Sequence, residues 1–459
     1  MAHYDYDLLV IGAGAAGSSA VTTIDTHNLR VGLVERHVLG GTCLNYGCDP
    51  TKTLLHIANE RYHAEHAGPY GLRIPEAGFV WVDVQSYVQQ VIKHLRGGTL
   101  EEAHAELEKK GITILDGEAT FVSPHEVQIS GKSVSADRIL IATGSETVVP
   151  PVEGLQEAGY ITNIQAVSLP QLPGRLAVVG GGAIGMEFAQ MFQRFGVEVT
   201  VLERSSMILD KEDRELADNL CDILTKEGLR LETGAELERV QREGGGKRLT
   251  IRCGQRQEET LVVDEILMAV GRKASFEALH LDAAGVKTSK KGIVVDAMLR
   301  TSVPHIWAAG DVASQYQFTH VASVQGKLAA RNAFASNPQP FDDRAIPWVT
   351  FTDPALGHVG KTEEQLKEEG TPYRVARMFY SKNERAITMG ETAGLVKLLT
   401  GMEGKLLGGH ILSVRGDDLL APLVLAMHAN LTVEQFASVL MPYPTLSEAV
   451  PAAAGGLLG

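Results

Sequence analysis

Two stretches of this chain repeat one another 168 residues apart. The apolar run Leu8 to Ile11 leads into Gly12-Ala13-Gly14-Ala15-Ala16-Gly17, and the run Leu176 to Val179 leads into Gly180-Gly181-Gly182-Ala183-Ile184-Gly185. Each glycine run opens a helix-like stretch, and each is followed by a second strand-like run ending in an acid, Val31 to Glu35 and Val199 to Glu203. Glu35 lies 23 residues after Gly12, and Glu203 lies 23 after Gly180. This is the physical layout of a dinucleotide site. Gly12 and Gly180 make the tight turn, and Gly14 and Gly182 let backbone amides approach a pyrophosphate. Gly17 and Gly185 let a helix pack on the strand, so that its positive end meets the phosphates. Glu35 and Glu203 stand where a ribose 2′-hydroxyl would be bound. One G-x-G-x-x-G is weak evidence. Two copies with the same acid spacing predict an α/β protein that binds two dinucleotides.

Just after the first unit comes Gly40-Gly41-Thr42-Cys43-Leu44-Asn45-Tyr46-Gly47-Cys48-Asp49-Pro50-Thr51-Lys52. Two of the chain's four cysteines sit in this segment, separated by four residues. A helix N-terminus here would lower a thiol pKa and produce a reactive thiolate. The remaining cysteines, Cys221 and Cys253, fall in ordinary helix-like and strand-like contexts and read as structural. A thiol pair next to two dinucleotide units suggests a flavin dinucleotide beside a disulfide and a nicotinamide that feeds it, because hydride transfer belongs to such cofactors rather than to side chains.

The bulk properties narrow the class. A chain of 459 residues exceeds one ordinary core, so about three domains are expected. A formal charge of −14 argues against nucleic acid or an anionic membrane as the main partner. No apolar run approaches the roughly 20 residues of a membrane span. The N-terminal Asp5 and Asp7 stand where a signal peptide needs bases, so a cytoplasmic protein is expected. His56, His63 and His66 cluster on a predicted helix without cysteine or carboxylate partners at ligand spacing, so they read as surface residues and no stable metal site is expected. His320 and His358 are lone residues with no assigned role. The small, uncharged tail Pro451 to Gly459 reads as poorly anchored.

Over essentially its whole length the chain resembles the FAD-dependent pyridine nucleotide–disulfide oxidoreductases, the group of lipoamide dehydrogenase, glutathione reductase and mercuric reductase. Besides the Cys43 to Lys52 segment, the resemblance rests on Ala142-Thr143-Gly144-Ser145, Ala269-Val270-Gly271-Arg272, Ala308-Ala309-Gly310-Asp311 and Phe351-Thr352-Asp353-Pro354, in the family's order. It implies two Rossmann-like domains, the second inserted in the first, and a C-terminal α+β dimerisation domain. The FAD-binding domain would take 1–150 and 268–340, the NAD(P)-binding domain 151–267 and the dimerisation domain 345–459. FAD would be held by Gly12, Gly14, Gly17, Glu35, Gly41, Thr42, Lys52, Thr143, Gly144, Gly310 and Asp311. NADH or NADPH would be held by Gly180, Gly182, Gly185, Glu203, Arg204 and Gly271. Electrons would pass from NAD(P)H through FAD to Cys48, which faces the flavin, while Cys43 meets the acceptor. Lys52 would pair with Glu187 beside the flavin, where a cation stabilises anionic reduced flavin and a nearby thiolate. Glu203 favours NADH, since a carboxylate about 4 Å from a 2′-phosphate costs about 4 kcal/mol at an effective dielectric near 20.

Departures from the family pattern carry the substrate question. Ala183 stands where relatives often place an aromatic lid, so such a lid is not expected. Asp49 follows the second cysteine, where the family usually has an apolar residue. It either weakens the Cys48 thiolate or serves as a favoured acid in a helix first turn. The family's His-x-x-x-x-Glu pair, contributed across the dimer, reads Tyr443-Pro444-Thr445-Leu446-Ser447-Glu448. Tyrosine titrates near 10 and histidine near 6.5, so Tyr443 is a poor base, and disulfide exchange would lose about 10²- to 10⁴-fold. Tyrosine here, with Gln317-Phe318 and Val321-Ala322, resembles mercuric reductases, whose soft substrate needs two thiolates rather than a proton shuttle. Residues Gly455 to Gly459 do not carry the cysteine pair found at the end of those enzymes, and an N-terminal metal-binding domain is not expected. An inner redox site without the delivery chain is therefore expected. The leading expectation is a homodimeric reductase of a small-molecule or metal-ion acceptor, with Cys43 and Cys48 as transient mercury ligands and with Tyr443 and Glu448 completing the partner's site. A lipoamide dehydrogenase-like reductase and a redox-sensing or scaffold flavoprotein are the alternatives.

Overall fold

The computed structural model describes residues 3–75, 77–254 and 258–458. Its two halves repeat the same topology. In the first, parallel strands run in the order Ile112–Asp116, Val31–Glu35, Tyr6–Ile11 and Lys132–Ile141, and Ile306–Ala308 returns to pair with the last of these. In the second, the order is Arg230–Thr233, Glu198–Glu203, Arg175–Val179 and Glu265–Met268, again all parallel. The register is the same, with Leu8 opposite Val31 and Leu176 opposite Val199. Each half also carries a three-stranded antiparallel meander before its return strand. Strands Tyr6–Ile11, Val31–Glu35, Arg175–Val179 and Glu265–Met268 are mostly buried apolar residues, as expected of a sheet covered on both faces, while the edge strands Ile112–Asp116 and Arg230–Thr233 are partly exposed.

The connections between the halves lie side by side. Ser145–Thr147 leaves the first half and pairs antiparallel with Arg272–Ala274, which returns to it. Residues 347–413 build a five-stranded antiparallel sheet in the order Pro347–Thr350, Ala355–Gly360, Leu406–Ser413, Leu395–Thr400 and Arg374–Phe379. Short helices pack on this sheet to give an α+β unit. No helix among the described residues is long and apolar enough to cross a membrane.

The tail differs from the sequence expectation. Ala449–Gly455 is a helix that packs on Arg374–Phe379 and Leu395–Thr400, with Val450, Ala453, Ala454 and Leu457 buried. Small side chains read as weak anchors, but here they let the helix approach the sheet closely. Pro451 falls in the first turn, where a missing N–H costs nothing. Gly459 lies outside the described residues.

The feature that positions the site is the packing of helix Cys48–Glu65, from the first half, against helix Ala183–Arg194, which opens the second. At the outer end of this seam His63 is exposed, as the sequence leads one to expect, but it has a carboxylate partner. Its Nε2 lies 3.2 Å from an Asp353 carboxylate oxygen, a partner too distant in sequence for spacing to reveal. His56 and His66 are exposed as well. The hydrogen bond to Asp353 raises the His63 pKa against the opposing effect of burial. A raised folded-state pKa stabilises the fold fully below the unfolded value of about 6.5, and the contribution is lost as pH rises through the folded value. His63→Ala should therefore lower the melting temperature more at about pH 5.5 than at about pH 9. Equal losses at both pH values would count against the charged pair.

Candidate active site

The glycine loops meet the steric demands read from the sequence. A Cβ on Gly17 would lie 1.8 Å from the Gly12 carbonyl oxygen, and one on Gly185 would lie 1.9 Å from that of Gly180. At Gly182 a Cβ would meet no atom within 4 Å, and at Gly14 only Gly41 Cα at 4.0 Å. The third glycines are thus demanded by the protein itself, whereas the middle glycines face open space at the helix N-terminus, where a phosphate fits. Glu35 and Glu203 do the same work in both units. Glu35 accepts from the Ala13 N–H at 2.9 Å, and Glu203 from the Gly181 N–H at 2.7 Å. The arginines after them differ. Arg36 reaches Glu118 and Ser275, whereas Arg204 is exposed and makes no such bond.

Between the first glycine loop and the cysteines lies a cleft of about 730 Å³. Gly12, Gly14, Glu35, Gly41, Thr42, Thr143, Gly144, Gly310 and Asp311 line it, together with Cys43, Cys48, Lys52 and Glu187. This gathers the predicted flavin set except Gly17, which lies beneath the loop. Gly41 has a φ of +63°, and a Cβ there would meet Gly14 Cα at 2.6 Å, so the glycine loop and the cysteine segment are in direct contact. Asp311 accepts from the Ser145 hydroxyl at 2.5 Å, and Arg272 donates to the same hydroxyl at 2.8 Å. Burial raises the Asp311 pKa. Besides Glu187, helix Ala183–Arg194 lines the cleft with the aliphatic Ile184 and the aromatic Phe188. Gly271 is exposed where the chain returns from the second half.

Cys43 sits on the short helix Gly41–Tyr46, and Cys48 is the first residue of the 18-residue helix Cys48–Glu65. Asn45 is buried and donates to the Leu39 and Gly41 carbonyls at 3.0 and 2.8 Å, which fixes the loop between them. The thiols divide their roles. A hydrogen bond from Cys43 lowers the Cys48 pKa to about 6, with help from the Thr319 hydroxyl and the Lys52 charge, while burial and Asp49 oppose. The Cys43 pKa is raised, first by that same bond and then by burial. The two thiols titrate as a coupled pair, and the surroundings favour charge on Cys48 over Cys43. Asp49 has both properties considered from sequence. It sits in the helix first turn, and its effect on Cys48 is the weakest of the five influences. Burial raises its own pKa.

Lys52 Nζ donates to Glu187 at 2.6 Å and lies 4.4 Å from the centre of the Phe351 ring. The other Glu187 oxygen accepts from the Phe351 N–H at 2.9 Å. Thr319, whose hydroxyl is 3.3 Å from Cys48 Sγ, was missed from sequence. Its only signal was its place after Gln317-Phe318 at the start of helix Thr319–Phe334.

Tyr443 and Glu448 do not line this cleft in their own chain. Tyr443 is 70% exposed, and its hydroxyl donates to Glu384. The carboxylate of Glu384 raises the Tyr443 pKa. Glu448 instead accepts from the Thr445 N–H at 2.9 Å, capping its own turn. Cys221 lies on a helix with its pKa pushed up by burial to about 11, as an inert structural thiol requires. His358 is fully buried, stacked at 3.6 Å on Trp348. Among the described residues no three or more His, Cys, Asp or Glu side chains are grouped as a metal site would need.

A duplicated dinucleotide fold with a thiol pair between its units defines a class of nucleotide-driven redox proteins. Comparison makes this specific: residues 6–326 match the pyridine nucleotide-disulphide oxidoreductase family, residues 346–454 match the dimerisation domain of that family, and the chain belongs to it. Members of the family use FAD and NAD(P)H. The chain is 35% identical to mercuric reductase of Staphylococcus aureus over 98% of its own length and 82% of that protein. It is 36% identical to dihydrolipoyl dehydrogenase of Thermus scotoductus over 98% and 97% of the two chains. Among solved structures it resembles the Cu(II) complex of the HOCl-induced flavoprotein disulfide reductase RclA from Escherichia coli, with a TM-score of 0.87, 30% identity and full coverage of both chains.

The two glycine classes should separate by experiment. Gly185→Ala should destabilise the protein without nucleotide by more than about 2 kcal/mol. Gly182→Ala, at the helix N-cap, should cost only about 1 kcal/mol of that stability but weaken NADH binding about tenfold or more. Thermal unfolding and nucleotide titration check both.

Proposed function

We propose that the chain is an NAD(P)H-dependent flavoprotein reductase that delivers electrons through Cys43 and Cys48 to a soft electrophile, in the manner of mercuric reductases. Bound FAD would supply the two-electron exchange between the nicotinamide and the disulfide. The observation that carries the reading is the placing of Cys43 and Cys48 in one cleft with the first glycine loop and with the Lys52–Glu187 ion pair.

The chain's own groups would act as follows. Gly180, Gly182 and Gly185 receive the nicotinamide dinucleotide's pyrophosphate, with Gly271 at the return crossing. Glu203 is held by the Gly181 and Ser205 N–H groups at 2.7 and 2.6 Å, so its carboxylate is fixed where a ribose hydroxyl can donate to it. That favours NADH, although Arg204 is exposed beside it. Lys52 keeps positive charge near Cys48, and Thr319 donates a hydrogen bond to its sulfur. Cys43 is the thiol that meets the acceptor. A mercuric ion as substrate would take both sulfurs as ligands, because soft thiolates suit a soft cation.

Tyr443 and Glu448 are proposed to complete the partner's cleft in a homodimer built through the dimerisation domain. Tyr443 gives its proton to a hydrogen bond with Glu384, and that carboxylate raises its pKa further. The raised pKa keeps its proton on at neutral pH, so it offers no free base there, which favours a metal-ion acceptor over a disulfide whose exchange needs one. The lipoamide dehydrogenase-like reading would need Glu448 to support a base, and Glu448 caps Thr445 instead.

An acceptor panel of mercuric ion, lipoamide, oxidised glutathione, quinone and oxygen, each with NADH and NADPH, tests the reading. Mercuric ion with NADH should give the fastest turnover. Cys43→Ser should reduce that rate by about 100-fold or more, and retention of full activity would falsify the thiol mechanism. Tyr443→His should raise lipoamide or glutathione disulfide turnover about tenfold or more. An unchanged rate would remove Tyr443 from the site.

A further inference from the structure

Helix Ala183–Arg194 presents Glu187, Gln190 and Arg194 on one face, at the three- and four-residue spacing of neighbours along a helix. All three are buried, at 5%, 0% and 5% exposure. Polar and charged side chains are seldom buried in this way unless every group is partnered, and here one short segment of the C-terminal unit partners all three. Glu187 accepts from the Phe351 N–H. Gln190 brackets Asp353, accepting from its N–H at 2.8 Å and donating to its carbonyl at 2.7 Å, as a neighbouring strand would. Arg194 donates to the Asp353 carboxylate at 2.8 Å and to Asn59 at 2.7 Å, and it pairs with Glu227 at 2.9 Å.

We propose that Gln190 and Arg194 are positioning residues: they clamp the Phe351–Asp353 segment so that its backbone and its ring hold the Lys52–Glu187 pair in place beside Cys48. The proposal rests on the reading of Cys43 and Cys48 as the redox pair. The clamp has two ends. At the outer end Asp353 is fixed through its N–H, its carbonyl and its carboxylate. At the inner end Phe351, two residues earlier, fixes Glu187 through its N–H and covers the Lys52 ammonium with its ring. Lys52 is one-third exposed, so without those contacts its flexible stem can carry the charge out to water. The polar groups are not needed for packing as such, since apolar side chains of the same volume would hold two helices and a strand end together at least as well. What they add is directional: they fix one strand end in one register. The docking of the C-terminal unit is thereby felt at the thiolate of the same chain.

The test is ultraviolet absorbance of the Cys48 thiolate against pH in the reduced protein, a readout independent of turnover and of bound FAD. In Gln190→Met the bracket is lost at nearly constant volume. The midpoint should rise by about half a pH unit, about threefold less thiolate at pH values below it. Phe351→Leu, at the other end of the clamp, should shift it in the same direction, and Phe351→Tyr, which keeps a ring over Lys52, should restore the parent midpoint. Folded Gln190→Met and Phe351→Leu proteins with the parent midpoint would overturn the proposal. If Gln190→Met fails to fold, the two Phe351 variants decide alone, and equal midpoints for leucine and tyrosine overturn it. A parent protein whose Cys48→Ser variant shows the same thiolate titration would remove the underlying redox-pair reading, and the proposal with it.

Discussion

The ion pair between Lys52 and Glu187 is the contact on which the rest of the site depends. It joins the helix that begins at Cys48 to the helix that begins at the second glycine loop, so it ties the thiol of one unit to the nucleotide cradle of the other. Glu187 is nearly out of water and Lys52 only partly so. Removing the lysine would strand a buried carboxylate, which costs about 3–5 kcal/mol. Breaking the pair would therefore disturb both the electrostatics of Cys48 and the packing of the two units.

Around this pin the chain uses one structural solution twice. The sharp turn at Gly12 and Gly180, the close approach of Gly17 and Gly185, and the carboxylate that receives the loop N–H recur with the same register and nearly the same distances. The units differ in what they add at the mouth of the loop. Only the first places a thiol pair there, and Gly41 pressing on Gly14 brings that pair up to the loop. The surroundings of the two thiols are unequal. The Cys43 hydrogen bond, Thr319 and Lys52 favour charge on Cys48, while burial and Asp49 oppose them, Asp49 being the smallest of these influences.

What was legible in the sequence was local. Gly12 to Glu35 and Gly180 to Glu203 could be read because the turn, the helix and the acid all lie within one supersecondary unit. The cysteine segment could be read because its helix start follows directly from Gly47. Lys52 with Glu187 was reached only through resemblance to a family, since nothing in either local sequence points to the other. Thr319, Gln190, Arg194 and the His63–Asp353 contact stayed hidden because each takes its meaning from a partner more than a hundred residues away. The C-terminal tail was misread for a different reason. Small apolar residues suggest little anchoring area, but in Ala449–Gly455 their size is what permits close packing on the sheet.

Electrons from the nicotinamide must reach the cysteines for this site to work as described. The direct measurement is a thiol count on oxidised, FAD-loaded protein before and after one equivalent of NADH is added without oxygen. The account predicts about two new titratable thiols per chain, with none gained in a protein lacking Cys43 or Cys48. Consumption of the NADH with no new thiols would contradict it, because the electrons would then bypass the pair around which the site is built.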